Sequence, residues 1–203
     1  MKDDGYIKFN IQWEETGSVV PLDVYERLRF WRNKLFDLKL IGAYKNGIGY
    51  GNISEKIPDT LQFYISGSAT GNFKKSTLHH YALVSSYNIK DNFVSCFGPV
   101  KASSESLSHA AIYESNKHVG AVIHIHDLKM WEKLLNQVPS TSSSALFGTP
   151  EIAFEIKNQV LSTGKISDVI VMAGHKEGIL FYGENLDQTG HLVLDYFNRI
   201  YHD

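Results

Sequence analysis

The chain has 203 residues, 43% of them hydrophobic, and a nearly balanced charge, with Lys+Arg 20 against Asp+Glu 22 for a net of −2. That is apolar material for one substantial core, so a single domain over residues 1–203 is expected. The charge balance, with no basic run longer than Lys74-Lys75, excludes the electrostatic footprint of a nucleic-acid or anionic-membrane binder. No apolar run approaches the roughly 20 residues of a bilayer span. Met1 to Gly5 is polar and carries no apolar signal segment. The single cysteine, Cys96, excludes an internal disulfide and fits a reducing compartment, so a soluble cytoplasmic protein is expected.

Residues 1–20 read as a strand-like extension, because Ile7, Phe9, Ile11 and Trp13 alternate with polar neighbours. Residues 22–41 carry Leu28, Trp31, Leu35, Leu38 and Ile41 at three- and four-residue spacing, which predicts an amphipathic helix with Pro21 at its start and Gly42 as C-cap. Short strands follow at 61–66, 82–87 and 93–97. Ser103 or Ser104 caps a helix running to about Ser115, with Glu105 in its first turn. The apolar run from Val119 to Ile123 reads as a buried strand, then come helices at 128–136 and 150–161. The serine-rich stretch from Pro139 to Ser144 reads as a mobile loop. Strands at 168–173 and 178–182 precede a last helix at 186–201. Strands outnumber what strict βα alternation gives, which favours a mixed or antiparallel sheet covered by helices.

The buried strand ends in His124-Ile125-His126. Residues two apart share a face of a strand, so the two rings sit side by side while Ile123 and Ile125 face the other way. Alone, such a pair is more often a hydrogen-bonded core pair than a pair of metal ligands. A third histidine, His175, follows the strand at 168–173. Three histidines with one position open are the usual arrangement of a catalytic zinc site.

Two glycine-rich stretches, Gly47-Ile-Gly-Tyr-Gly51-Asn52-Ile-Ser54 and Ser66-Gly-Ser-Ala-Thr70-Gly71, could let backbone N–H groups approach an anion closely. Neither matches a dinucleotide fingerprint or a P-loop. The helix start at Ser103-Ser104 offers free N–H groups and two hydroxyls, and Glu105 beside it would suit proton transfer. His109 lies one turn beyond Glu105, either supporting it or packing. His79, His80, His118, His191 and His202 read as surface or structural residues, and Trp31 and Trp131 as core.

The order of these pieces is more specific than any one of them. Gly51-Asn52-x-Ser54, Ser68-x-Thr70-Gly71, Ser103-Ser104-Glu105-x-x-x-His109, His124-x-His126, Gly148-Thr149-Pro150-Glu151 and His175 before Gly183 together resemble the class II aldolase/adducin family, and within it the fuculose-phosphate aldolase type. The resemblance runs over residues 22–200. It implies an α/β fold of three layers, with a central, largely antiparallel or mixed sheet flanked by helices. It also implies one Zn2+ per subunit held by His124, His126 and His175, with Glu105 as acid/base. Asn52, Thr70, Gly71, Ser103 and Ser104 would hold the phosphate of a small phosphorylated sugar.

The implied reaction is aldol-type cleavage between C3 and C4 of a ketose phosphate, with zinc stabilising the enediolate and Glu105 moving its proton. A homotetramer with sites between the subunits of a four-fold ring is implied as well. Epimerases, dehydratases and decarboxylases share this metal site. The epimerases carry aspartate after Ser-Ser, so Glu105 points to aldol or decarboxylating chemistry. Adducin-like binding modules of the same fold lose the metal histidines, which are present here. The chain departs from the family pattern at Lys176-Glu177, two extra residues in the turn after His175. It departs also at Ala102, where proline commonly stands, and after Tyr201, where fuculose-type enzymes carry a longer tail with a catalytic tyrosine.

Overall fold

Alternation of half-buried and exposed residues along Asn10–Glu15 makes β1, as the period-two pattern predicts. The computed structural model describes residues 7–202, so the first six residues of the expected extension lie outside it. The helix α1, Leu22–Asp37, begins after Pro21 and buries Leu28, Trp31, Arg32 and Leu35. It stops short of Gly42. Lys39 takes a left-handed backbone (φ 62), and the N–H groups of Leu40 and Ile41 turn back onto the Leu35 carbonyl. Gly42 instead opens a two-residue strand, β2 (Gly42–Ala43), paired with β3 (Gly49–Tyr50).

The main sheet contains β1, β4 (Asn52–Lys56), β5 (Phe63–Ser66), β6 (Tyr81–Asn88), β7 (Phe93–Gly98), β8 (Ala121–His126), β9 (Asp168–Val171) and β10 (Gly178–Gly183). Its order is β1-β7-β6-β5-β4-β8-β10-β9. Every neighbouring pair is antiparallel except β1 with β7. The remaining helices are α2 (Ser106–Ser115), α3 (Leu128–Leu134), α4 (Pro150–Thr163) and α5 (Leu186–Tyr201).

Strand parity divides the core into two. On one face, α2 and α4 pack Ala110, Ala111, Ile152 and Ile156 against Ile65, Val84, Val122 and Leu180. On the other, α1, α3 and α5 pack Leu28, Trp31, Met130 and Val193 against Ile53, Ile123, Ile125 and Phe181. The result is the expected three-layer arrangement, helices on both sides of a largely antiparallel sheet. The serine-rich stretch is tied down more than its composition suggests. Val171 donates to the Pro139 carbonyl (2.9 Å), Thr141 donates to Val171 (3.0 Å), and the Thr141 hydroxyl accepts from Ala173 N–H (3.1 Å). It runs along the free edge of β9, which answers the unpaired backbone there.

Candidate metal and anion site

The register of β8 sets up the site. Asn52 on β4 lies opposite His124, and Gly178 on β10 lies opposite His126. Ile123 and Ile125 are buried with α1, α3 and α5, so both histidines project to the α2/α4 side, as the strand period predicts. The third histidine arrives from the tight turn between β9 and β10. There His175 N–H donates to the Met172 carbonyl (3.0 Å) and its own carbonyl accepts from Gly178 N–H (2.9 Å). With Lys176 and Glu177 in the turn, His175 stays within reach of the other two rings. A Cβ on Gly178 would stand 2.4 Å from Cδ2 of His175 and 3.0 Å from Nε2 of His124, so only glycine leaves the rings room to meet.

The three rings fit a metal donor set on two grounds. One nitrogen from each lies within 4.8 Å of the others, and Nε2 of His126 is 3.0 Å from Nε2 of His175. Tetrahedral zinc with Zn–N near 2.0–2.1 Å needs donors about 3.3 Å apart, so a small adjustment closes the set. Second, burial pushes all three pKa values down, that of His175 to about 4 with the Lys8 charge adding to the effect. The rings are therefore neutral near pH 7, the form that binds metal. Nε2 of His124 is buried and makes no hydrogen bond among the described residues. Nδ1 of the same ring lies 3.3 Å from Nδ2 of Asn52, whose Oδ1 is also buried and has no hydrogen-bond partner among the described residues. Turning that amide end for end would let Oδ1 accept from Nδ1–H and leave Nε2 of His124 with its lone pair for a metal.

Beside the histidines the cleft changes character. It encloses roughly 420 Å3, open solvent at its mouth included, and is lined by both glycine-rich stretches, Ser103, Ser104 and Glu105, but by no lysine or arginine among the described residues. The stretches pack directly on each other. A Cβ on Gly71 would stand 2.1 Å from the Gly42 carbonyl and 2.9 Å from Cα of Gly49. The Thr70 hydroxyl donates to the Gly67 carbonyl (2.8 Å), so Thr70 shapes the turn from within. Behind the turn sits Arg32, 2% exposed, donating to the carbonyls of Thr70 (3.0 Å) and Gly71 (3.1 Å). It forms no ion pair among the described residues. An anion in this cleft would meet hydroxyls and backbone N–H groups, with a buried guanidinium one layer behind them.

Glu105 is buried in the cleft wall, and its Oε2 accepts from the Ser108 hydroxyl (2.7 Å). It stands at the cap position and not in the first turn, because a turn built by Ser103 comes first. The Ser103 hydroxyl accepts from Glu105 N–H (3.3 Å) and its carbonyl from Ser106 N–H (3.1 Å). His109 does not support Glu105 through its side chain. It is fully buried, with Nδ1 2.6 Å from the Ser54 hydroxyl, which is also 2.7 Å from the Tyr113 hydroxyl. Ser54, the last residue of the Gly-Asn-x-Ser stretch, thus belongs to the core and not to the cleft. Burial pushes the His109 pKa down to about 3.

Ser68 and Ala69 of the second glycine-rich stretch also line the cleft, and Ala69 has φ 59. Several residues around the site escape sequence reasoning. The Phe147 ring lies 4.5 Å from that of His175 and carries the Lys8 ammonium 3.8 Å above it. Tyr44 and Glu177 approach the outer side of His126. Of these, only the Lys176-Glu177 insertion gives a signal in the sequence.

Comparison with known proteins agrees with this fold. A family model described as Class II Aldolase and Adducin N-terminal domain matches residues 45–196. A curated relative, methylthioribulose-1-phosphate dehydratase of Leptospira interrogans serogroup Icterohaemorrhagiae serovar copenhageni (strain Fiocruz L1-130), is 27% identical over 128 residues, 60% of this chain and 51% of that protein. The chain thus spans about half the length of the curated relatives it matches. Among solved structures, an L-fuculose 1-phosphate aldolase superposes with TM-score 0.67 at 20% identity, covering 92% of this chain and 88% of the other. The l-fuculose-1-phosphate aldolase of Thermus thermophilus superposes with TM-score 0.56 at 18% identity, covering 87% and 95%. At these identities the superpositions establish the fold. Among the described residues no helix is long and apolar enough to cross a membrane.

Proposed function

This chain belongs to the class II aldolase and adducin family, and from that premise we propose that it is a zinc-dependent lyase cleaving a carbon–carbon bond of a small phosphorylated sugar. The observation that carries the reading is the convergence of three buried, neutral imidazoles, one buried carboxylate and a hydroxyl-lined glycine turn on one cleft. His124, His126 and His175 would hold one zinc per subunit. When bound, the metal supplies Lewis acidity toward the substrate's carbonyl and hydroxyl oxygens. Ser103, Ser104 and the backbone around Thr70 and Gly71 hold the phosphate and fix the sugar's position, supported by Arg32, and Asn52 orients His124 beside them. In cleavage between C3 and C4 the Glu105 carboxylate takes the proton from the C4 hydroxyl, the C3–C4 bond breaks to release an aldehyde with its electron pair left on C3, and Glu105 then returns that proton to C3. We place the protein in the cytoplasm as a homotetramer, which light scattering would check; a monomer would contradict it.

A second reading is favoured by the curated relatives, which are named as dehydratases of a ketose phosphate. Here Glu105 would remove a proton from carbon, and hydroxide would leave the neighbouring carbon. Screening sugar phosphates and acid-sugar phosphates against the native protein and Glu105→Gln separates the two. Carbon–carbon cleavage gives two shorter products, whereas dehydration keeps all carbons and loses water. Either way Glu105→Gln should slow turnover by about 10²- to 10⁴-fold while keeping its metal. Turnover equal to native would remove Glu105 from the chemistry. A folded protein that takes up no metal would favour the adducin-like binding module.

A further inference from the structure

On the side of His126 away from the other rings, three groups form a chain. The Tyr44 hydroxyl lies 2.9 Å from Nδ1 of His126 and donates to Oε2 of Glu177 at 2.8 Å. Both residues lie far from His126 in sequence or belong to the turn that departs from the family pattern. Glu177 holds φ 73, a left-handed conformation that disfavours a side chain by on the order of 1 kcal/mol. Its carbonyl accepts from Asp127 N–H (3.0 Å), which pins the strained residue against the strand end next to His126. Strain of this kind persists where surrounding contacts enforce it.

We infer that Glu177 and Tyr44 are positioning residues that hold His126 as its Nδ1–H tautomer and so present Nε2 to the metal; this rests on the metal reading of the site. The direction of the chain follows from proton counting. A carboxylate only accepts, and a tyrosine has one hydroxyl proton. That proton goes to Glu177, so the Tyr44 oxygen faces His126 as an acceptor and Nδ1 must carry hydrogen. The lone pair then lies on Nε2, the atom 3.0 Å from Nε2 of His175. Partners of this kind orient ligating histidines and raise their basicity. Here a tyrosine stands between the carboxylate and the ring.

The test uses Tyr44→Phe, Glu177→Gly, which suits the left-handed backbone, and Glu177→Gln, which keeps an acceptor oxygen. Nitrogen-15 chemical shifts of His126 in the metal-free full-length protein report the tautomer. Chelator competition reports zinc affinity. The expected result is a well-populated Nδ1–H form in the native protein and in Glu177→Gln, its loss in the other two variants, and a zinc affinity on the order of 10- to 100-fold weaker in those two. Tyr44→Phe with an unchanged tautomer and zinc affinity within about twofold of native would overturn the inference. A native protein that binds no zinc but keeps the Nδ1–H form would refute the metal reading while leaving the ring's orientation by Tyr44 and Glu177 standing.

Discussion

The two halves of the cleft are built in opposite ways. The histidine half places side chains: three imidazoles from β8 and the β9–β10 turn, oriented by Asn52, Tyr44 and Glu177. The anion half places backbone: two glycine-rich turns pressed together at Gly49 and Gly71, with Arg32 behind them and Ser103 folding the start of α2. A side-chain site depends on ring orientation and proton position. A backbone site depends on how closely two main chains approach. The halves should therefore fail differently.

Gly178→Ala attacks the first half. Its Cβ would stand 2.4 Å from the His175 ring. We expect zinc affinity to fall on the order of 10- to 100-fold by chelator competition, a loss typical of disturbed ligand orientation. Unchanged affinity would mean the rings do not converge as described. Gly71→Ala attacks the second, where the obstacle is the Gly42 carbonyl at 2.1 Å, main chain that cannot swing aside. Forced overpacking of this kind costs about 1–3 kcal/mol, readable as a lower urea midpoint, with zinc affinity nearly intact. Loss of metal without loss of stability would invert the comparison.

A third test turns on pH and concerns His109, buried beneath the cleft. Its pKa falls from an ordinary value of about 6.5 in the unfolded chain to about 3 in the folded one, because burial disfavours the charged ring. Between those values the unfolded chain binds the extra proton. The contribution is therefore intact above about pH 6.5 and is lost as pH falls toward 3. The slope approaches 1.4 kcal/mol per pH unit. His109→Asn in the metal-free protein should flatten the acid side of the stability profile by that amount, and parallel profiles would contradict the assignment.

The same contrast explains what could be read in advance. Residue type and period two place His124 and His126 on one face, and the last helix, expected at 186–201, is found as Leu186–Tyr201 with Asn185 as its N-cap. Caps and backbone turns are harder. The helix starting near Ser103 begins at Ser106, because the serines spend their groups on a preceding turn. The helix expected to end at Gly42 closes at Lys39 through a left-handed residue that is not glycine. Tyr44 and Glu177 meet across 133 positions, a pairing that no local pattern encodes.

Diffraction data collected on either side of the zinc absorption edge, with metal content measured on the same crystals, test the central claim most directly. The expected result is one zinc per chain, with an anomalous peak among Nε2 of His124, His126 and His175, absent from the His124→Ala/His126→Ala double variant. A zinc-loaded native crystal with no peak among those three nitrogens would contradict it.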